Sequence, residues 1–220
     1  MSKSQIESLN DFARVRLSKH FFMRDFLFSE TASVLGLNNV PNNKELAIEA
    51  GKGLCENVLE PIQDAWGRIH VRSAFRSEEV NQAGNEIGAS CSTNDRNYGG
   101  HIWDIEGTAV DGKKYPGATA CIVIPAYLEY YEQTGDWTSL AWWIHHHIPA
   151  VRNMYFFPKL CAFNISWFGY SEQPKTISTY IEDPKTGHKK RILSKNVVSD
   201  FYRDMPAEKR YEACKPLIAK

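Results

Sequence analysis

From Asn42 to Trp66 apolar residues recur at Leu46, Ala47, Ala50, Leu54, Val58, Ile62 and Ala65. That three-to-four spacing lines one face of a helix. Pro61 removes a backbone donor and crowds the preceding turn, so it is expected to kink or divide this helix, and Gly67 to stop it. Ser29 and Gly36 read as the N-cap and C-cap of a shorter helix. Ile69, Val71 and Ser73 alternate with polar residues as a strand does. Thr108–Tyr115 reads as a hairpin or loop turning at Asp111-Gly112. Ala118–Thr134 reads as a largely buried helix broken at Pro125. Asp136 caps a second helix carrying Trp137, Leu140, Ala141, Trp142 and Ile144, closed by His145-His146-His147 and Pro149. Three strand-like runs follow: Met154–Phe157, Ala162–Trp167 and Thr176–Ile181. Asp183–Gly187 is a turn into Lys190–Leu193. Val198–Lys220 reads as a polar helix with breaks at Pro206 and Pro216, lying on the surface or against a neighbour.

The class expected is α+β, helices followed by a mostly antiparallel sheet. Residues 1–16 form an N-terminal arm, 17–182 the main domain with a helical insertion at about 108–150, and 183–220 a hairpin with a helical extension.

With 220 residues, 43% apolar and 12% aromatic, the chain can bury one sizeable core. Lys plus Arg equals Asp plus Glu at 26 each. No field of one sign draws nucleic acid or an anionic membrane, so partners must be recognised locally. The longest apolar run is about half the ~20 residues a bilayer requires, so no membrane insertion is expected. The opening residues lack the apolar run of a signal peptide, and five scattered cysteines read as reduced thiols. Both features point to a product made in the cytoplasm.

The chemistry concentrates between Ile69 and Asp104. Ile69-x-Val71-x-Ser73-x-Phe75-Arg76-Ser77 is a strand ending in a basic, Ser-flanked turn, and Gly99-Gly100-His101-Ile-Trp-Asp104 presents a histidine and a carboxylate. This stretch resembles the motif of zinc-dependent D-alanyl-D-alanine carboxypeptidase-like enzymes, including VanY-type carboxypeptidases and phage endolysin peptidases. Leu17–Phe26, Ser29–Gly36 and Val58-Leu-Glu-Pro61 resemble the same group, so the likeness runs from about Leu17 to Asp104. It implies the Hedgehog-like fold of zinc D-Ala-D-Ala peptidases.

In that family the first two zinc ligands lie in a Ser-x-His-x-x-Gly-x-Ala-x-Asp pattern. Matching Gly100 and Asp104 to its glycine and aspartate puts Asn97 at the histidine, Asp95 at the serine and Ile102 at the alanine. The third ligand is a histidine on a late strand, and Asn164 in Phe163-Asn164-Ile165-Ser166 stands there. The catalytic glutamate has no counterpart, because Ile148–Ser171 holds neither Asp nor Glu. A carboxamide oxygen is a weak, neutral ligand for zinc, which prefers imidazole nitrogen or thiolate. Losing a general base alone removes roughly 10²–10⁴ in rate.

A rearranged metal site built from Asp104, His101, His145 and His147 is the alternative, with Glu106 or Glu172 as base. The competing reading of the three histidines is helix capping and polar packing. His20 is read as fixing its loop, although it too can act as a ligand. Arg76 is either the family's clamp for a substrate carboxylate, supported by Ser77 and Asn81, or half of an ion pair with Asp104 or Glu79. The clustered tryptophans, tyrosines and phenylalanines are read as core, with a ligand groove as the other use.

The expectation is therefore a zinc-peptidase fold with a degenerate site, acting as a binding or structural module. A phage or prophage origin, as virion component or cell-wall recognition protein, follows from where such relatives occur. Arg76, Ser77, Asn97 and Asn164 are the expected ligand-binding residues, and no cofactor is expected. Partners would be a peptidoglycan peptide or other protein chains. The alternative is a zinc metallopeptidase cleaving peptidoglycan stem peptides, of D,D- or L,D-peptidase or carboxypeptidase type.

Overall fold

The Asn43 side chain accepts from the Leu46 amide at 3.1 Å, and this cap opens the long helix that the spacing predicts. The computed structural model describes residues 3–89, 91–187 and 191–218. Met1 and Ser2 of the expected arm, Lys190 of the expected strand, and Ala219 and Lys220 of the expected C-terminal helix lie outside the described residues.

The chain begins with helices α1 (Lys3–Ala13), α2 (Glu30–Leu35), α3 (Lys44–Leu54) and α4 (Glu60–Trp66), followed by strand β1 (His70–Ser73). Then come α5 (Glu78–Glu86), α6 (Asn94–Asn97), β2 (Gly107–Thr108), β3 (Lys114–Tyr115) and β4 (Gly117–Val123). Next are α7 (Pro125–Thr134), α8 (Thr138–His147), β5 (Val151–Phe156), β6 (Phe163–Phe168) and β7 (Thr176–Thr179). Finally β8 (Arg191–Ser194), β9 (Val197–Val198), α9 (Asp200–Arg203) and a 3₁₀ segment, Ala207–Leu217, complete the chain.

Pro61 does not break the helix. Between α3 and α4 the turn widens over Cys55–Leu59, and the Glu60 amide reaches back five residues to the Cys55 carbonyl. The ladder has already shifted when Pro61 arrives in the first turn of α4, where its missing N–H costs little. Ser29 and Gly36 cap α2 as expected; the serine accepts from the Ala32 amide, and Gly36 adopts φ +66. Asp111-Gly112 turns a short β2–β3 hairpin, with Gly112 at φ +84.

A seven-stranded sheet in the order β1-β4-β6-β5-β7-β8-β9 carries the helices. Its pairs are antiparallel except β5 with β7. The fold is therefore α+β with a mostly antiparallel sheet. One sheet face holds Ala118, Ala120, Ile122, Phe163, Ile165, Met154, Phe156 and Ile177, all buried in the main core. Where α3 crosses the sheet, a β-carbon on Gly53 would meet the Trp167 ring at 2.3 Å, so glycine permits the close approach.

The expected helix over Ala118–Thr134 is corrected: its first part is strand β4, and Pro125 opens α7. Every residue of β4 is buried, because it lies between β1 and β6 with side chains covered on both faces. Such a strand shows no alternation, and its apolar run resembles a buried helix. Asp136 does cap α8, accepting from the Thr138 and Ser139 amides. β8 and β9 continue the sheet, and the C-terminal segments dock on α8 through Tyr202, Tyr211 and Cys214. Among the described residues no helix is long and apolar enough to cross a membrane.

Candidate binding site

The second face of the sheet is polar over Thr119, Asn153, Asn164 and Ser166, beside a small apolar cluster of Cys121, Val123 and Ala162. Cross-strand pairing sets Thr119 opposite Ser166, Asn164 opposite Cys121 and Tyr155, and Asn153 opposite Ser166. Two-residue periodicity sends Thr119, Asn164, Ser166, Asn153 and Tyr155 to the side away from the core. The Thr119 and Ser166 hydroxyls lie 2.7 Å apart, a buried hydrogen bond across the strands.

Over this face folds the segment from α6 to Asp104. Gly99 sits at φ +65, and a β-carbon there would meet the Gly107 nitrogen at 2.7 Å, so the turn demands glycine. The Thr119 amide donates to the Gly100 carbonyl at 2.9 Å and the Arg76 amide to the His101 carbonyl at 2.8 Å. These bonds stitch the turn to β4 on one side and to the end of β1 on the other. Between turn and sheet lies a cavity of about 180 Å³, lined by Asn97, Gly100 and His101 from the turn and by Thr119, Asn164 and Ser166 from the sheet. Asn153, Tyr155 and Phe168 complete the walls, with exposed Arg96 at the rim.

His101 is 5% exposed, and its Nδ1 lies 2.6 Å from the Ala74 carbonyl. A carbonyl only accepts, so Nδ1 carries the proton, and Nε2 is a bare acceptor. Nε2 is buried without a hydrogen-bond partner, with the Asn164 carboxamide beside it. Burial, reinforced by the Arg76 charge, pushes the imidazole down to about 3, so it is neutral at ordinary pH. Asn97 donates through Nδ2 to Asn81 Oδ1 at 2.9 Å, and Asn81 donates in turn to the Ser92 carbonyl and to Asn94 Oδ1. The lining thus offers carboxamides, hydroxyls and one neutral imidazole, without a carboxylate or thiol. It can exchange hydrogen bonds with an amide or hydroxyl group, but none of its buried groups is an acid or base near neutrality.

The other expected residues lie elsewhere. Asp104 Oδ2 accepts from the Asn42 amide at 2.7 Å, fixing the turn before α3, while Oδ1 is buried without a partner. Burial raises the Asp104 carboxyl, although backbone N–H groups oppose the shift. His145 and His147 do not join His101. His145 packs edge-on to Trp142, and His147 stacks on Trp143 while donating to its carbonyl at 2.9 Å. The expected metal set of Asp104, His101, His145 and His147 is corrected on this point: among the described residues no three His, Cys, Asp or Glu side chains form a metal-holding group. The cavity itself does not fit zinc, because three carboxamides and one imidazole are a poor donor set for it. Glu106 and Glu172 do not line the cavity, and Glu172 accepts from the Tyr170 hydroxyl.

Arg76 forms an ion pair with neither Asp104 nor Glu79; its Nη1 donates to Cys91 Sγ at 3.2 Å. Ser77 is occupied as the cap of α5, accepting from the Val80 amide and donating to the Asn38 carbonyl. His20 is bonded to Glu60 at 2.6 Å, and Ser18 donates to the same carboxylate, which pins the loop to α4. Burial works to raise the Glu60 carboxyl, but the bonds from Ser18 and His20 outweigh it and hold the group low. Most of the aromatic cluster is core, including Trp103, Trp137 and Trp142.

Thr119, Asn153, Tyr155 and Ser166 were not among the expected site residues. The signal available for them was polar alternation, Asn153-x-Tyr155 and Asn164-x-Ser166, on two runs otherwise read as strands. No protein-family model, curated protein or solved structure matches the chain.

Proposed function

We propose that this chain is a non-catalytic binding module on a scaffold of the zinc D-Ala-D-Ala peptidase type, its metal position replaced by a neutral polar pocket. The observation that carries the reading is the meeting of Asn97 and Asn164 with His101 in one cavity. Those two asparagines stand where the resembled family has imidazoles. Distant in sequence, they line the same small space, which supports both the resemblance and the replacement. A neutral His101 and a lining free of carboxylates support the absence of hydrolysis.

The ligand is an uncharged amide or hydroxyl group that exchanges bonds with Asn164 and Asn153, the half-buried carboxamides of the lining. A peptidoglycan stem peptide or a neighbouring protein chain in a phage or prophage assembly supplies such a group. Zinc content and murein digestion test the reading. The expected result is no stoichiometric zinc in the natural chain, zinc gained by the Asn97→His/Asn164→His double variant, and no product released from purified murein. Stoichiometric zinc in the natural chain, lost in both His101→Ala and Asp104→Ala, overturns the reading, as does release of murein peptides.

A further inference from the structure

Along β5 the register with β6 slips between Val151 and Asn153, so Arg152 is the extra residue of a bulge. Bulges bend a strand and re-aim a side chain. Here Arg152 Nη1 donates to the Pro149 carbonyl at 2.9 Å, just beyond the end of α8, and to the Val151 carbonyl at 3.4 Å. Nη2 of the same guanidinium is a donor of the kind that binds oxyanions. Nη2 forms no hydrogen bond among the described residues; Nε is buried and unpartnered, and the residue is 9% exposed.

Lys175 stands beside it. The parallel β5–β7 ladder aligns Asn153 with Thr176, which makes the preceding residues, Arg152 and Lys175, neighbours. Half-buried Lys175 enters no ion pair, and its Nζ has no hydrogen bond among the described residues. From α8, His145 meets Trp142 edge-on at 5.5 Å, and the Arg210 guanidinium covers the same indole at 4.8 Å. The charges of Lys175 and Arg210 both act on His145, and that of Arg152 acts on Lys175. Four basic side chains therefore share one corner, and no ion pair among the described residues includes any of them.

A helix C-terminus attracts cations by itself, at about 0.3–1 kcal/mol each. That accounts for Arg152 Nη1, which takes a carbonyl beyond α8. It does not account for the unpartnered Nη2 or for a lysine amine that takes no carbonyl. We propose that this corner binds a phosphate group, with Arg152 Nη2 holding one oxygen, Lys175 a second, and Arg210 and His145 flanking. A tetrahedral dianion offers oxygens to several donors at once, whereas a carboxylate offers only two. The site is separate from the polar pocket and does not rest on the function proposed for it.

The test is titration of the full chain with inorganic phosphate at constant ionic strength, read by the His145 imidazole resonances. Saturable binding is expected, weakened tenfold or more in Lys175→Met and in Arg152→Gln, and unchanged in Lys209→Met. Burial, with the charges of Lys175 and Arg210, holds His145 down to about 4; with phosphate bound it should titrate at higher pH. Lys175 is half exposed, so its variant tests binding without a folding defect. Glycerol phosphate and vesicles containing phosphatidic acid, run in parallel, separate a soluble monoester from a lipid headgroup, and Lys175-dependent binding of either upholds the site. No saturable response to phosphate, an equal response to chloride, or full affinity in Lys175→Met overturns it.

Discussion

Asn97 gives its side-chain N–H to Asn81 Oδ1 at 2.9 Å, and this bond decides which way the Asn97 carboxamide faces. Asn81 is wholly buried and spends its own two N–H groups on the Ser92 carbonyl and Asn94 Oδ1. A chain of amides thus anchors α6 to α5.

Replacing Asn81 with Ala removes an acceptor and two donors from the interior. The Asn97 donor, the Ser92 carbonyl and Asn94 Oδ1 are then left without partners. Unsatisfied buried groups cost about 1–3 kcal/mol each when no water reaches them. Asn81→Ala should therefore lower stability by about 2 kcal/mol or more in urea unfolding. Asn94→Ala should cost less, since Asn94 is only half-buried.

Acid should weaken the fold through His101. Its folded value is about 3, driven there first by burial, against about 6.5 in an unfolded chain. Between those limits the unfolded chain binds the extra proton, so stability is full above about 6.5 and falls as pH drops toward 3. The slope for one such proton is up to about 1.4 kcal/mol per pH unit. His145, held at about 4, adds to the effect in the same direction. Asp104, raised by burial, opposes it. Urea midpoints at pH 7, 5 and 4 should fall steeply in the natural chain and less steeply in His101→Gln.

Gly53 sets helix propensity against packing. Alanine is favoured over glycine inside a helix by about 1 kcal/mol. At this position the new methyl would sit 2.3 Å from the Trp167 ring. Overpacking of this kind costs about 1–3 kcal/mol. Gly53→Ala should therefore be destabilising in thermal unfolding, with a change in Trp167 fluorescence.

Asp136 and Lys185 pair at 2.7 Å, but their surroundings differ. The carboxylate is almost fully buried and accepts from the Thr138 and Ser139 amides and hydroxyls as well. Burial alone would raise it, yet Lys185 and these bonds hold it below the usual range. Asp136→Ala should cost about 2 kcal/mol or more, since it strips the cap of α8 and strands buried donors. Lys185→Met should also destabilise, and the loss should shrink as acid protonates the carboxylate, because the hydrogen bonds remain but the counter-charge is gone. Paired denaturation curves of the two variants, at neutral and at acid pH, check both outcomes.

Much of the scaffold was legible in sequence because local signals and burial agree there. The α3–α4 helix, the caps of α2 and α8, the Asp111-Gly112 turn and the strand-like character of β5, β6 and β7 all follow from spacing and caps. β4 was not legible: covered on both faces, it shows only an apolar run followed by a proline. Asn97, His101 and Asn164 stood out individually, and their meeting follows from the β6 register and the Gly99 turn. The separation of His145 and His147 from His101 was hidden. Helix phase gives the angle of each ring but not the element against which the helix packs.

The parallel β5–β7 pair has a consequence for cutting the molecule down. A chain ending near Asp183 would lose β8 and β9 and leave β7 with one raw edge. The native sheet ends instead on a two-residue strand, too short to recruit another chain. The C-terminal residues therefore serve as a terminator for sheet growth, and a shortened product should assemble into oligomers rather than behave as a smaller monomer.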